Sequence, residues 1–367
     1  MAEEKQLDFS KIDKNMAIKT EIEENDIVFY DVREAPFSVY GLYDYKNQPD
    51  FKRLPDEIAE NTNTGVANLY LHTAGGRVRF STDSQYVAIR AEMPYIHRAP
   101  HFPMTSSAGF DLFLDDPVLG QSTFYRPFTP SLNISGGYES ELKFPSRKLR
   151  HFTVNFPSYS KVRNLWIGLQ EDAIVGEGAK YLDLPPIVYY GSSITQGSGS
   201  SRPGNTYQNI IARRLNVDYI NLGFSGSGRG EDVIASYMAG LSMSAFVSDY
   251  DHNAPNAEHL VSTHLKLYQT IREKHPDIPY IMLSKVDFDK GMRANIGRRE
   301  VIRDTYRYAI DRGDQNVYFI DGEQVFSGPY RDLCVTDGTH PTDVGFALMA
   351  DAIGDTLKRA FARKLLD

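Results

Sequence analysis

Hydrophobic and polar positions change their rhythm near the middle of the chain. From about Ile27 to Leu169, apolar residues alternate with polar ones in short runs. Arg77-Val78-Arg79-Phe80-Ser81 and Tyr86-Val87-Ala88-Ile89-Arg90-Ala91-Glu92-Met93 show the two-residue period of strands with one buried face. Asn68–Thr73 is predicted as a further strand, joined to Arg77–Ser81 through the turn Ala74-Gly75-Gly76. Phe110–Leu114, His151–Phe156 and Asn164–Leu169 continue the series between Pro-, Gly- and Ser-rich turns. Short strands at this spacing, without a helical period, predict a β-sandwich or jelly-roll domain over residues 1–175. Trp166, inside an apolar strand, is predicted to be a core residue. The loop Pro94–Pro103, with three prolines, His97, His101 and Phe102, is predicted to be structural, although it has the length to reach a cleft.

Gly176-Glu177-Gly178-Ala179-Lys180 and Leu184-Pro185-Pro186 break this pattern and mark a junction. Beyond it, strands and helices alternate. Buried strands are predicted at Ile187–Tyr190, Tyr219–Leu222, Ala245–Val247, Tyr280–Ser284 and Val317–Ile320. Helices are predicted at Asn205–Leu215, Asp232–Met243, Glu258–Lys274, Arg299–Arg312 and after Pro341. This alternation predicts an α/β domain over residues 186–367, a parallel sheet with helices on both faces. The chain has no internal repeat and no low-complexity tract.

Composition narrows the function. With 367 residues, two domains are the natural expectation. Net charge is −8, from 40 basic and 48 acidic residues, with no basic run, so neither nucleic acid nor an anionic membrane is an expected partner. The single cysteine, Cys334, excludes an internal disulfide and a multi-Cys zinc site. Met1–Gln6 lacks an apolar segment and no run is long enough to span a bilayer, so a cytoplasmic location is expected.

The chemistry concentrates at two places. Ile187-Val188-Tyr189-Tyr190 runs into Gly191-Ser192-Ser193, which places a serine at the carboxyl end of a buried strand, where an α/β sheet presents reactive groups. Backbone N–H groups at such a strand-to-helix turn can stabilise negative charge. Far along the chain, Asp337-Gly338-Thr339-His340-Pro341 sets an Asp three residues before a His. Such an Asp can hold the imidazole through Nδ1–H and leave Nε2 to accept a proton from a serine hydroxyl. Alone, Asp337 or Thr339 would also serve as a helix cap with His340 on the surface. The serine turn and the histidine together favour a catalytic triad.

Gly191-Ser192-Ser193-Ile194 resembles the Gly-Asp-Ser-Leu block of the SGNH (GDSL) acylhydrolases, and Asp337–His340 resembles their final Asp-x-x-His block. Asn221-Leu222-Gly223-Phe224-Ser225-Gly226 and Asp249-Tyr250-Asp251-His252-Asn253 resemble the two intermediate blocks, in the family's order. The resemblance runs from Pro186 to the C-terminus. It implies Ser193 as nucleophile, His340 as base and Asp337 as its orienting acid. It also implies an oxyanion hole made by the Ser193 N–H, the Gly226 N–H and the Asn253 side chain. By themselves, Gly226 also fits a flexible turn and Asn253 a turn residue before Pro255. Ser192 departs from the family's usual Asp, which bears on support of the loop rather than on the reaction.

An N-terminal β module joined to such a domain resembles two-domain acetylesterases acting on plant polysaccharides such as xylan and mannan. The implied activity is removal of O-acetyl groups from oligosaccharides, with no cofactor and no metal. A lipid-type or short-chain acylhydrolase or thioesterase, and a non-catalytic carbohydrate-binding protein, remain alternatives. A homodimer in which the β module covers a neighbour's cleft also stays open. There is no Gly-x-Ser-x-Gly elbow, and Ser158–Lys161 has Ser-x-x-Lys spacing without the accompanying β-lactamase blocks. The His-x-x-x-His pair His97/His101 sits in a Pro-rich loop rather than on a helix, and Asp251, His252 and His259 show no recognised ligand spacing.

Overall fold

The alternating first half folds as two antiparallel sheets, in a computed structural model that describes residues 22–364. Met1–Gln6 lies outside the described residues. One sheet orders its strands Ile27–Asp31, Asn164–Gln170, Tyr86–Glu92 and Gly137–Lys143. The other runs Val175–Glu177, Arg77–Thr82, Arg150–Asn155, Phe110–Asp116 and Gln121–Phe128, with Ser38–Tyr40 beside Arg77–Thr82. Val87, Ile89, Leu165 and Ile167 from the first sheet meet Phe80, Phe110, Leu112 and Phe152 from the second in one core. Period-two sequences therefore pack one face against the opposite sheet, and in Arg77–Thr82 the polar face is buried as well.

Two local expectations fail here. Asn68–Thr73 is not a strand: Thr64–Leu69 is helical, capped by the Asn63 side chain accepting from Val66 N–H, and His72 makes only an isolated bridge. The buried Arg53 explains this. Its guanidinium donates to Leu69 O and His72 O, and its N–H donates to Tyr70 O, which uses carbonyls that a ladder would need. Trp166 is only half-buried, beside Arg90 and Glu139 on the outward face of its sheet. It is not a core residue.

The second half forms a parallel sheet in the order Tyr219–Gly223, Ile187–Gly191, Ala245–Asp249, Tyr280–Leu283 and Val317–Ile320. Helices Tyr207–Leu215 and Asp343–Lys364 cover one face through Tyr207, Ile211, Phe346 and Met349. Helices Asp232–Ala239, Ala257–Lys274 and Met292–Asp311 cover the other through Ile234, Leu260, Leu267 and Ile302. The last of these begins at Met292 rather than Arg299, because Asn295 anchors the extra turns by donating to Phe288 O and Lys290 O. The strand order reverses between Ile187–Gly191 and Ala245–Asp249. A crevice opens outside the carboxyl ends of strands at such a point.

Buried polar contacts join the antiparallel sheets to the parallel one. Arg53 donates to Asn221 O and Gly223 O, Arg77 pairs with Asp218, and Asp111 accepts from Arg202 and Gly204 N–H. Gly75, at φ +80°, lets its turn approach Asn221 closely, where a Cβ would collide. Among the described residues, no helix is long and apolar enough to cross a membrane.

Candidate active site

The strand Ile187–Gly191 is buried along its whole length and ends on a tightly packed glycine. A Cβ at Gly191 would strike the Asp249 carbonyl oxygen and Thr195 Oγ1. Ser192 then turns the chain. Its N–H donates to Asp249 O at 3.0 Å, and its Oγ accepts from Ile194 N–H at 3.1 Å, capping the short helix Ser193–Gln196. A serine here thus does the capping work that an aspartate can do at the same position. Gly197, at φ +112°, closes the helix.

Ser193 follows the cap and is 8% exposed. Its Oγ lies 2.9 Å from His340 Nε2, and His340 Nδ1 lies 2.7 Å from Asp337 Oδ2. Asp337 Oδ1 also accepts from the backbone N–H groups of His340 at 2.8 Å and Thr339 at 3.0 Å. Burial alone would raise the Asp337 carboxyl, but these hydrogen bonds and the His340 charge outweigh it and bring the group down to about 2. An ionised Asp337 keeps the proton on Nδ1, which leaves Nε2 as an acceptor facing Ser193. The arrangement can remove a proton from the serine hydroxyl and hold the resulting imidazolium.

The loop after Tyr219–Gly223 lies beside this chain of bonds. Phe224 N–H donates to Gly191 O, and Ser225 N–H donates to the Gln196 side chain, tying the loop to the serine helix. Gly226 sits at the exposed tip with φ +66°, and its carbonyl accepts from Arg229. The Asn253 amide nitrogen donates to Phe224 O at 2.9 Å and Gly228 O at 3.1 Å. Both its hydrogens are engaged, so Asn253 braces the Gly226 turn. The resemblance led one to expect a free donor there.

The Pro94–Pro103 loop does reach the site. His101 stacks on His340 at 6.1 Å between ring centroids, with His101 Nε2 3.8 Å from Asp337 Oδ2. Phe102 meets the His340 ring edge-on at 6.1 Å and packs on Tyr159 at 5.0 Å. Tyr159 is 4% exposed and its hydroxyl donates to Ser193 O at 3.3 Å. Burial pushes that hydroxyl up to about 12, so it stays a donor. None of these three contacts has a motif. The only signal was the density of His, Phe and Pro in a loop long enough to cross a cleft. Tyr159 also walls a pocket of about 440 Å³ lined by His72, Tyr95, His97, Lys161 and Ser225.

Two groups bring ligand atoms close enough to share a cation: His101 with Asp337 and His340, and Asp249 with Asp251 and His252. In the first, Asp337 Oδ2 and His340 Nδ1 are already joined at 2.7 Å by the bond that orients the imidazole. In the second, burial and the neighbouring Asp251 hold Asp249 well above the carboxylate range, and burial lifts Asp251 to about 6. His259, which shows no ligand spacing with Asp251 and His252 in the sequence, is absent from that group and faces Arg229 O. His97 turns to Tyr159 while His101 turns to Asp337, so the His-x-x-x-His pair diverges.

Comparison with known proteins follows the same lines. Residues 185–358 match the model of the GDSL-like Lipase/Acylhydrolase family, and residues 27–175 match that of the N-terminus of SGNH-hydrolase-type esterases. Among curated proteins there is no match. A solved structure from Bacteroides ovatus, described as a GDSL-like lipase, is similar at 25% identity and TM-score 0.80, over 90% of this chain and 98% of its own. The salicylyl-acyltransferase SsfX3 of a tetracycline biosynthetic pathway aligns at 21% identity and TM-score 0.73, over 93% and 98%. An acetyl xylan esterase, Est2A from Butyrivibrio proteoclasticus, shares the fold at 15% identity and TM-score 0.60, over 92% and 99%. With family models over both halves, the chain belongs to the GDSL-like, or SGNH, hydrolase family and is an esterase of the acylhydrolase type.

Proposed function

We propose that the protein is a serine esterase that removes O-acetyl groups from carbohydrate through an acyl-enzyme. The observation that carries this reading is the continuous hydrogen-bond chain from Ser193 through His340 to Asp337. Ser193 Oγ attacks the ester carbonyl carbon as His340 Nε2 takes its proton. The tetrahedral intermediate collapses, and His340 returns the proton to the leaving sugar hydroxyl. A water then repeats the sequence on the acetyl-enzyme and releases acetate. Asp337 fixes the His340 tautomer and balances its transient charge.

The oxyanion is received by the N–H groups of Ser193 and Gly226, with Asn253 holding the Gly226 turn in place or donating after that turn shifts. Losing one such donor typically costs about 3–4 kcal/mol of transition-state stabilisation. Residues 186–367 act as the catalytic domain. Residues 1–175 act as a β-sandwich accessory domain that supplies Tyr159 and Phe102 to the cleft. Carbohydrate is favoured over a long acyl chain because Leu69 is the single aliphatic side chain in the pocket beside Tyr159. The Est2A fold is consistent with that choice.

The test follows acetate release by NMR from acetylated manno- and xylo-oligosaccharides, with wild type and Ser193→Ala in parallel. Release by wild type alone is expected. Higher activity on long-chain para-nitrophenyl esters than on the acetate would overturn the substrate class.

A further inference from the structure

We propose that the pocket beside Tyr159 receives the sugar part of the substrate and that Lys161 selects sugars bearing a carboxylate. The preferred substrates are then O-acetylated oligosaccharides that contain a uronic acid. This rests on the carbohydrate-ester reading above and names the substrate class within it.

The pocket is too large for an acetyl group. At about 440 Å³ it falls in the range of small-molecule sites, roughly 300–1,000 Å³. Its connection to the nucleophile runs through Tyr159, which lines it and donates to the Ser193 backbone O. Tyr95 lies stacked over His72 at 5.5 Å and 13°, and is 43% exposed, which leaves ring surface for the C–H face of a sugar. Lys161 stands next to this platform, because its N–H donates to Tyr95 O at 3.0 Å.

The charge of this pocket runs against that of the chain. The protein carries −8 overall, yet Lys161 is the one charged side chain that lines the pocket, with no carboxylate beside it, while burial keeps His72 and His97 neutral. Asp50 and Glu92 are both paired with Arg163, two residues along the chain from Lys161, at 2.9 and 3.0 Å. Lys161 has no ion-pair partner among the described residues. Burial above all, and then the neighbouring Arg53, His97 and Lys161, hold His72 well below its usual range, so it adds no charge of its own.

An ammonium covered by a ligand loses water; sugar hydroxyls can accept its hydrogens, but an anion on the ligand also returns the charge interaction. A neutral sugar ring seated on Tyr95 would leave the Lys161 charge unpaired. A ring carrying a carboxylate would form an ion pair in a partly desolvated wall, where such pairs are worth more than on open surface.

The experiment measures binding without turnover, by calorimetry on Ser193→Ala protein. The probes are a neutral xylo-oligosaccharide and the same oligosaccharide with one glucuronic acid branch. The acidic probe should bind about tenfold more tightly at low salt, and the ratio should fall toward one as sodium chloride approaches roughly 1 M. Adding Lys161→Glu should invert the preference, an outcome that misfolding cannot produce. Equal binding of the two probes, or an unchanged ratio in Lys161→Glu, overturns the proposal.

A second arm compares para-nitrophenyl hemisuccinate with para-nitrophenyl acetate on wild type. Preference for the hemisuccinate would put the anion on the acyl side and also overturns it. Failure of the esterase reading would show separately, as absent acetate release with the binding ratio intact.

Discussion

Replacing Asp337 by Asn would test the orienting role with almost no change of shape. In the structure, Oδ1 accepts from two backbone N–H groups, those of His340 and Thr339, while Oδ2 accepts from His340 Nδ1 at 2.7 Å. An asparagine must keep its carbonyl oxygen toward the two N–H donors, since an NH₂ there would face hydrogens. Its NH₂ therefore points at Nδ1, the ring accepts there, and the proton moves to Nε2. That proton then faces Ser193 Oγ across 2.9 Å, and the base is lost.

For this tautomer change in a Ser-His-Asp triad, the expected fall in kcat is about 10⁴-fold, or roughly 5 kcal/mol. The assay is kcat and KM on para-nitrophenyl acetate over pH 6–9, with thermal unfolding recorded alongside. KM and the unfolding temperature should change little, because both backbone hydrogen bonds survive. Activity within tenfold of wild type, in a variant that unfolds like wild type, would refute the role given to Asp337.

Three further outcomes follow from packing and charge. Gly191→Ala should lose about 3 kcal/mol of stability, because its Cβ collides with the Asp249 backbone carbonyl; an unchanged urea midpoint would contradict the close approach. Phe102→Ala opens the side of His340 to water and should lower kcat/KM on acetylated oligosaccharides about tenfold while sparing the fold; unchanged kinetics would return the loop to a purely structural part. His264 is fully buried, donates or accepts at Thr305 Oγ1, and is held by desolvation at about 3, against about 6.5 when unfolded. A depressed pKa contributes stability that is present above pH 6.5 and lost as pH falls toward 3, with a slope approaching about 1.4 kcal/mol per pH unit. The stability advantage of wild type over His264→Gln should shrink across that window, and parallel curves would exclude the assignment.

What could be read from the chain was local or strongly periodic. The parallel sheet announced itself because Ile187–Tyr190 and Tyr280–Leu283 are apolar on both faces, with Tyr219–Leu222 interrupted only by Asn221, and amphipathic helices separate them. Asp337 and His340 were legible because three residues on one turn fix their separation. Long-range placement was not legible. Asn68–Thr73 looks like a strand, but Arg53 takes its carbonyls. Trp166 has apolar neighbours in sequence, yet the pleat turns it outward beside Arg90. Asn253 matches a motif by type, while its hydrogens go to Phe224 O and Gly228 O through contacts no spacing reveals. The arrival of His101 and Phe102 at His340 depends on how the antiparallel sheets dock, which only the folded chain expresses.

The nucleophile can be tested most directly by mass spectrometry of the protein after reaction with an alkyl fluorophosphonate. Loss of esterase activity should track a single adduct on the peptide that contains Ser193, with no adduct in His340→Ala protein at the same reagent concentration. Full inactivation with Ser193 unmodified, or with the adduct on Ser198 or Ser225, would contradict the mechanism.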